Sequence, residues 1–303
     1  MKLYAPKYYK DFVCIADKCN HSCCIGWEID VDEAALEKYD ILNAPYGETI
    51  RKSIDHSGDC PHFRLTGDER CPHLNDRGLC KIILNAGEDH LCHICREHPR
   101  FYNETIHGKE VGLGMSCEEA CRIILSSDGY REIVEVGEID EIPDETDFDI
   151  LPHREKIYSM LSDDSMSYIA KLSLISKEYK VSPVSLDDEN WRKILFSLEY
   201  LNEDNKKLFS CYSSDLSTPK ELEKPLERAL AYFIYRHLTA THDESSLRAA
   251  LGFCLFSERL LCSLAESHSD RDFSDLARTV SEELEYSEEN TETIKTEFLF
   301  LLK

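Results

Sequence analysis

The chain has 303 residues, 59 of them acidic against 35 basic, for a net charge near −24. That length allows two domains with their own cores. The charge disfavours nucleic acid, whose binding depends on neutralising phosphates with Lys and Arg; it suits a basic partner such as a lysine-bearing protein surface, or simply keeps the chain in solution. The longest uncharged apolar run, Ala249 to Phe256, is far short of the roughly 20 residues of a bilayer span, and the opening residues lack the apolar run and small-residue cleavage site of a signal peptide. A cytoplasmic protein is expected.

Fourteen cysteines are distributed unevenly: eleven fall within the first 121 residues, and only Cys211, Cys254 and Cys262 follow. In a reducing compartment, thiols clustered this way bind metal more often than they form disulfides. Residues 1 to 13, aromatic and basic, read as an extended lead-in laid across the cysteine-rich domain. The stretch Cys14-x4-Cys19-x3-Cys23-Cys24 mixes thiols with small and polar residues, and Gly26 marks a turn, as in a loop folded around a metal. Trp27-Glu-Ile-Asp-Val-Asp alternates like a short strand, and Asp32 is placed to cap a following helix.

Cys60-Pro-His and Cys71-Pro-His repeat eleven residues apart, and Asp76-Arg-Gly78-Leu-Cys80 predicts a tight turn returning a third thiol. Proline after cysteine fixes the local backbone. Cys92-x2-Cys95 follows, then a strand pair near Tyr102 to Met115 turned at His107-Gly108. Ser116 with Glu119 three residues on has the capping-box pattern, which would put Cys117 in the first helical turn, where thiolate character is favoured. Residues 128 to 149 hold ten Asp or Glu against one Arg and include the turn-like Ile142-Pro143. A small edge strand at Glu132 to Ile139 is one reading; the charge favours a connecting segment.

Apolar residues then recur at helical spacing over Leu222 to Leu238, Asp243 to His268, Ser269 to Glu285 and Asn290 to Leu302. Cys254 and Cys262 fall on or beside that stripe, as packed thiols do, and Tyr232, Phe233 and Tyr235 read as core. The expected architecture is mainly α: a cysteine-rich, metal-held loop domain with short strands over 1–126, an acidic connecting segment over 127–152, and an all-helical domain over 153–303.

The order Pro6-Lys-Tyr, Phe12, Cys14-x4-Cys19-x3-Cys23-Cys24-x2-Trp27, Cys71-Pro-x-Leu, Gly78-Leu-Cys80-x-Ile, Cys95-x3-Pro99-Arg100 and Ser116-Cys117-Glu-Glu-Ala resembles the flagellin lysine-N-methylase family. That family sits within a broader group of cysteine-rich domains described as zinc- or iron-chelating. The likeness covers about the first 125 residues. It implies methyl transfer from S-adenosylmethionine to lysine side chains on flagellin, by a protein carrying an iron-sulfur cluster. Carried over position by position, the metal candidates are Cys14, Cys19, Cys23, Cys24, Cys71, Cys80, Cys95 and Cys117. Eight exceed the four that one 4Fe–4S cluster needs, so either a second metal is present or some are buried structural thiols; Cys60, Cys92 and Cys121 stand outside the set. His98 occupies a position where the family pattern has a tyrosine.

Zinc remains the alternative metal. Structural zinc sites usually pair Cys-x2-Cys hairpins, and only Cys92 to Cys95 has that spacing, which favours iron-sulfur. The Cys-x3-Cys-x2-Cys run of radical S-adenosylmethionine enzymes is absent. No glycine-rich strand-to-helix turn marks a donor site. Glu28, Asp30 and Tyr102 are the catalytic candidates, with Trp27 and Glu104 beside them, since methyl transfer needs a neutral amine and an in-line approach in a dry cleft. The contrasting reading is a non-enzymatic zinc or iron-sulfur protein acting as an interaction or redox module.

Overall fold

A computed structural model describes residues 1–140, 148–212 and 218–301. Ile142 and Pro143 lie outside the described residues. The fold is mainly helical, with small sheets, and the chain divides into two compact units, Val13–Arg100 and Met1–Phe12 with Phe101–Lys303. No helix among the described residues is long and apolar enough to cross a membrane.

The larger unit is built on helix Glu244–Ser267, which packs against Glu223–His237, Phe273–Glu285 and Glu288–Leu301. Its start is fixed by a capping box in which the Asp243 carboxylate accepts from the Ser246 amide at 2.7 Å and the Ser246 hydroxyl accepts from the Asp243 amide at 3.1 Å. From Leu247 onward nearly every residue is buried, because neighbours cover several faces of the helix. Phe298 lies directly over Gly252, where a Cβ would come within 2.4 Å of its ring. The Trp191 ring sits 4.7 Å from Phe256 and 5.0 Å from Phe298, so large aromatic side chains supply much of the cohesion. Cys254, Cys262, Tyr232, Phe233 and Tyr235 are all buried here, as their spacing predicted.

Several buried charges in this unit are paired, as burial favours. Arg154 donates two hydrogen bonds of 2.6 Å to Glu110. Glu285, with no side-chain exposure, meets His237 Nε2 at 2.6 Å and accepts from the Tyr232 hydroxyl at 2.9 Å.

A four-stranded sheet completes the unit, in the order Arg100–Thr105, Gly108–Leu113, Lys2–Pro6, Ile133–Glu138. Lys2–Pro6 runs parallel to Gly108–Leu113, with Leu3 opposite Lys109, and antiparallel to Ile133–Glu138, with Ala5 opposite Val134. The first residues are therefore a central strand rather than a lead-in across a loop domain. The acidic stretch is a true edge strand over Ile133–Glu138: its backbone groups pair with Lys2–Pro6, and Lys2 and Lys7 meet Glu135 and Glu132 at 2.7 and 2.8 Å. The predicted hairpin turns where expected, with Gly108 at φ 145°. One expectation fails nearby. Helix Glu118–Ser126 is capped by Cys117 without a side-chain bond, the Ser116 hydroxyl is buried without a partner among the described residues, and Glu119 chelates Arg122 at 2.6 and 2.8 Å instead.

Candidate metal centre

The Val13–Arg100 unit has little regular structure. Helices Glu33–Ile41, Tyr46–Ser53, Lys81–Ala86 and His93–Glu97 are short, and its one sheet pairs Ile54–Asp55 with His62–Phe63. Its core is small: Ile29, Val31, Tyr39, Ile50, Phe63 and Ile82 are the main apolar members, and cysteine makes up much of the remainder. Cys71 and Cys92 belong to the core outright, while Cys24, Cys80 and Cys95 pack against it.

Backbone pairing carries these thiols to one another. The Cys71 amide donates to the Cys24 carbonyl at 2.8 Å and the Gly26 amide to Glu69 at 2.9 Å, around a bridge between Ile25 and Arg70. Residues 74 to 80 then form a tight hairpin. Asn75 Oδ1 accepts from the amides of Arg77 and Leu79, both at 2.9 Å, and Gly78 takes φ 73°, a conformation glycine adopts without strain. The turn returns Cys80 to pair across from Leu74, as the Asp76-Arg-Gly78-Leu-Cys80 pattern predicted.

Cys92 and Cys95 come from the far end of the unit and are placed by two residues that sequence reasoning did not connect with the thiols. Asp32 caps Glu33–Ile41, accepting from the Ala35 amide at 3.1 Å, and its other oxygen accepts from the His93 amide at 2.6 Å, so one carboxylate anchors two helix starts. Burial raises the Asp32 pKa, but these amides outweigh it and hold the carboxyl below its usual range. The Tyr39 hydroxyl donates to the His90 carbonyl at 2.7 Å and lies 3.4 Å from Cys92 Sγ.

The result is a neighbourhood of five unbridged thiols, Cys24, Cys71, Cys80, Cys92 and Cys95, linked by mutual electrostatic interaction. Burial pushes Cys71 up to about 12 and Cys80 upward. A hydrogen bond with Cys23, helped by Ser22 and Arg70, brings Cys24 down to about 7. A hydrogen bond between the Cys92 and Cys95 thiols lowers the Cys92 pKa and raises that of Cys95. Among the described residues no three His, Cys, Asp or Glu side chains converge closely enough to hold a metal ion; the sulfurs are neighbours without a closed ligand set.

The donor chemistry nevertheless fits a thiophilic group, since soft thiolates are the ligands of iron-sulfur clusters and of structural zinc. Two buried imidazole nitrogens in the unit, His90 Nδ1 and His98 Nε2, also lack partners among the described residues. Burial, with Arg100 nearby, lowers the His98 pKa to about 4, so its ring is neutral at pH 7. His73 is different: Nδ1 lies 3.2 Å from the Tyr46 hydroxyl and Nε2 2.8 Å from Ser53 Oγ, which satisfies both nitrogens within the core.

The remaining sequence candidates are placed variously. Cys14 and Cys23 are exposed, and Cys19 directs its thiol to the His21 carbonyl at 3.1 Å. Cys60 is exposed, and Cys121 is buried with its thiol on the Ser274 carbonyl at 3.3 Å. Cys117 belongs to the other unit. Glu28 and Asp30 are exposed and alternate with the buried Ile29 and Val31, so the predicted alternation holds in burial, although the segment forms an isolated bridge from Asp30 to His62 rather than a strand. Glu28 Oε1 is 3.6 Å from His62 Nδ1. Tyr102 lies on strand Arg100–Thr105 with Lys109 Nζ 5.4 Å from its ring centroid. Cys92 is the thiol that family resemblance omitted; its spacing to Cys95 was the available signal.

No family model matches the chain, and no solved structure matches it significantly. Over 129 residues, 40% of this chain, it is 26% identical to the flagellar biosynthetic protein FliU of Salmonella muenchen, covering 75% of that protein. It is likewise 26% identical over 129 residues to the lysine-N-methylases of Salmonella choleraesuis (strain SC-B67) and Salmonella typhimurium (strain LT2), covering 32% of each. The chain thus spans about a third of the length of those two relatives. It resembles, distantly and over part of its length, proteins named for flagellar biosynthesis and lysine methylation.

Proposed function

We propose that this protein methylates lysine side chains on flagellin, taking the methyl group from S-adenosylmethionine, and that the Val13–Arg100 unit holds a 4Fe–4S cluster through four of the thiols Cys24, Cys71, Cys80, Cys92 and Cys95. The observation that carries the reading is the gathering of these five cysteines in a unit otherwise poor in core, in a chain resembling named lysine-N-methylases. A cluster bound there would tie the loops together and supply a one-electron centre. Cys14, Cys19 and Cys23 are then thiols outside the ligand set or ligands of a second metal, Cys117 lies in the other unit, and zinc is the alternative occupant.

In the transfer, the methyl carbon leaves the donor sulfur and bonds to the lysine nitrogen, which must first lose a proton to expose its lone pair. Glu28 and Asp30 point to solvent from the same side of their segment. In this reading they attract the incoming ammonium and accept its proton. Tyr102, 44% exposed, offers an aromatic face on which a cationic group competes with the Lys109 ammonium. The deciding experiment incubates protein purified without oxygen with flagellin and methyl-labelled S-adenosylmethionine. Label on flagellin lysines is expected, lost in Cys71→Ser and reduced in an Asp30→Asn, Glu28→Gln double variant. Metal-loaded protein that transfers no label above background overturns the assignment.

The gathering of thiols in the small core, which by itself implies no transfer chemistry, supports one second reading, a metal-binding module without transferase activity. Heat stability separates the two, because S-adenosylmethionine should raise the melting temperature of the enzyme and leave the module unchanged.

A further inference from the structure

In the cysteine unit, His98 Nε2 is buried and has no hydrogen-bond partner among the described residues. A buried polar atom left unpaired costs free energy, and native folds keep few of them. His73, in the same unit, shows the ordinary arrangement: Tyr46 and Ser53 satisfy both of its ring nitrogens.

The backbone puts this ring on the same side of the chain as two thiols. Helix His93–Glu97 is closed by the Arg96 amide on the Cys92 carbonyl at 3.0 Å and by the His98 amide on the Ile94 carbonyl at 3.1 Å. Cys92, Cys95 and His98 therefore follow one another at intervals of three along one helical segment. Residues three apart are neighbours on a helix surface, with about 5–6 Å between Cβ atoms. Burial divides the segment in the same way: Cys92 is buried, Cys95, Glu97 and His98 are half-buried, and His93, Ile94 and Arg96 are exposed. The inner side of this short helix thus carries both thiols and the imidazole, and Cys95 interacts there with Cys24, Cys71 and Cys92.

Burial, with Arg100 nearby, keeps the His98 ring neutral at pH 7, and a neutral imidazole carries one N–H and one lone pair. Five thiols already exceed the four ligands of a cubane cluster, so the centre is not short of ligands. Anionic sulfur in a small apolar core does need hydrogen-bond donors. We propose that His98 donates a hydrogen bond from Nε2–H to the metal-bound sulfur of Cys95, or to the cluster sulfide beside it, and so sets the reduction potential of the centre. This inference rests on the cluster reading given above. A hydrogen bond to a bound sulfur stabilises the more negative, reduced state and raises the potential. His98 is then a tuning residue and not a ligand.

Redox titration of the whole chain purified without oxygen, followed by electron paramagnetic resonance, tests this on the parent and on His98→Phe, His98→Ala and His98→Gln. Iron and sulfide are counted in each, and the parent's full content is expected in all of them. His98→Phe and His98→Ala both remove the donor, the first keeping a ring and the second not. Their midpoints should become more negative, so that the reduced-to-oxidised ratio at a fixed potential drops about tenfold, or about 59 mV for a one-electron centre. His98→Gln keeps an N–H donor and should recover part of that shift. An unchanged midpoint in a loaded variant without the donor, a glutamine variant shifted as far as those variants, or loss of iron from both of them overturns the proposal. The last does so because a hydrogen-bond donor is not required to hold the metal. A parent without iron and sulfide overturns the cluster reading itself, whereas a loaded parent whose midpoint the variants leave unmoved overturns only the role of His98.

Discussion

The two compact units reach stability by different means. The helical unit encloses Phe253, Phe256, Leu260, Leu261 and Phe298 almost completely and leaves few buried charges unpaired. The Val13–Arg100 unit has short helices, a two-residue strand pair and a small core in which or against which five cysteines pack. Small units with limited apolar burial commonly depend on disulfides or metals. The difference teaches that the same residue type occurs in two settings here: Cys254 and Cys262 are buried within the large helical core, whereas Cys24, Cys71, Cys80, Cys92 and Cys95 lie near enough to interact electrostatically with one another.

The sharpest way to break that contrast is Cys71→Ser. If a metal group holds the smaller unit, its loss removes binding free energy that reaches about 10–16 kcal/mol for structural zinc. Hydrogen exchange should then show residues 13–100 losing protection while helix Glu244–Ser267 keeps it. Equal protection in parent and variant would remove metal from the account of stability. Phe256→Ala should do the reverse, costing about 3–5 kcal/mol in urea unfolding while the metal content per chain stays constant. A parallel fall in metal would show that the two units are not independently supported.

A pH experiment isolates the helical unit. Burial raises the Glu258 pKa from 4.5 to about 7, against the hydrogen bond from Tyr168 at 2.9 Å and the charge of Arg259, with Cys262 a titratable neighbour. The folded state therefore retains a proton that the unfolded chain releases above pH 4.5. Its contribution is present below that value and is lost as pH rises through about 7. Glu258→Gln should abolish this dependence and stabilise the protein at pH 8 by roughly 1–3 kcal/mol, measured by urea unfolding at pH 5 and pH 8. The smallest effect belongs to Asp32→Ala, which should cost about 1 kcal/mol as a lost cap and loosen the Cys92–Cys95 segment, visible as faster exchange at the His93 amide.

The long helices were legible because a 3.6-residue apolar stripe is a local property, and Asp32 caps the helix it was expected to open; the Asp243 capping box was not foreseen. The hairpin turn at Gly78 was legible for the same reason. The strand at Ile133–Glu138 was not: its acidic side chains argued for a linker, and the pairing that makes it a strand comes from Lys2–Pro6, at the opposite end of the unit's sequence. Ser116 and Glu119 matched a local capping pattern, yet Arg122 took the glutamate and Cys117 became the cap. At the candidate metal centre, the clustering of cysteines pointed to the thiols that the fold gathers. The joint role of Asp32 and the association of Cys92 with Cys71 and Cys80 needed the fold, since these residues are distant in the chain; Asp32 and His93 are 61 positions apart.

The most direct test is the metal and acid-labile sulfide content of the whole chain purified without oxygen, beside a Cys24→Ser, Cys71→Ser double variant. About four iron and four sulfide per chain, the content of one cubane cluster, are expected in the parent and should be missing from the variant. A parent with no stoichiometric metal, or a variant that retains the full complement, would contradict a centre built on these thiols, and stoichiometric zinc without sulfide would contradict the cluster.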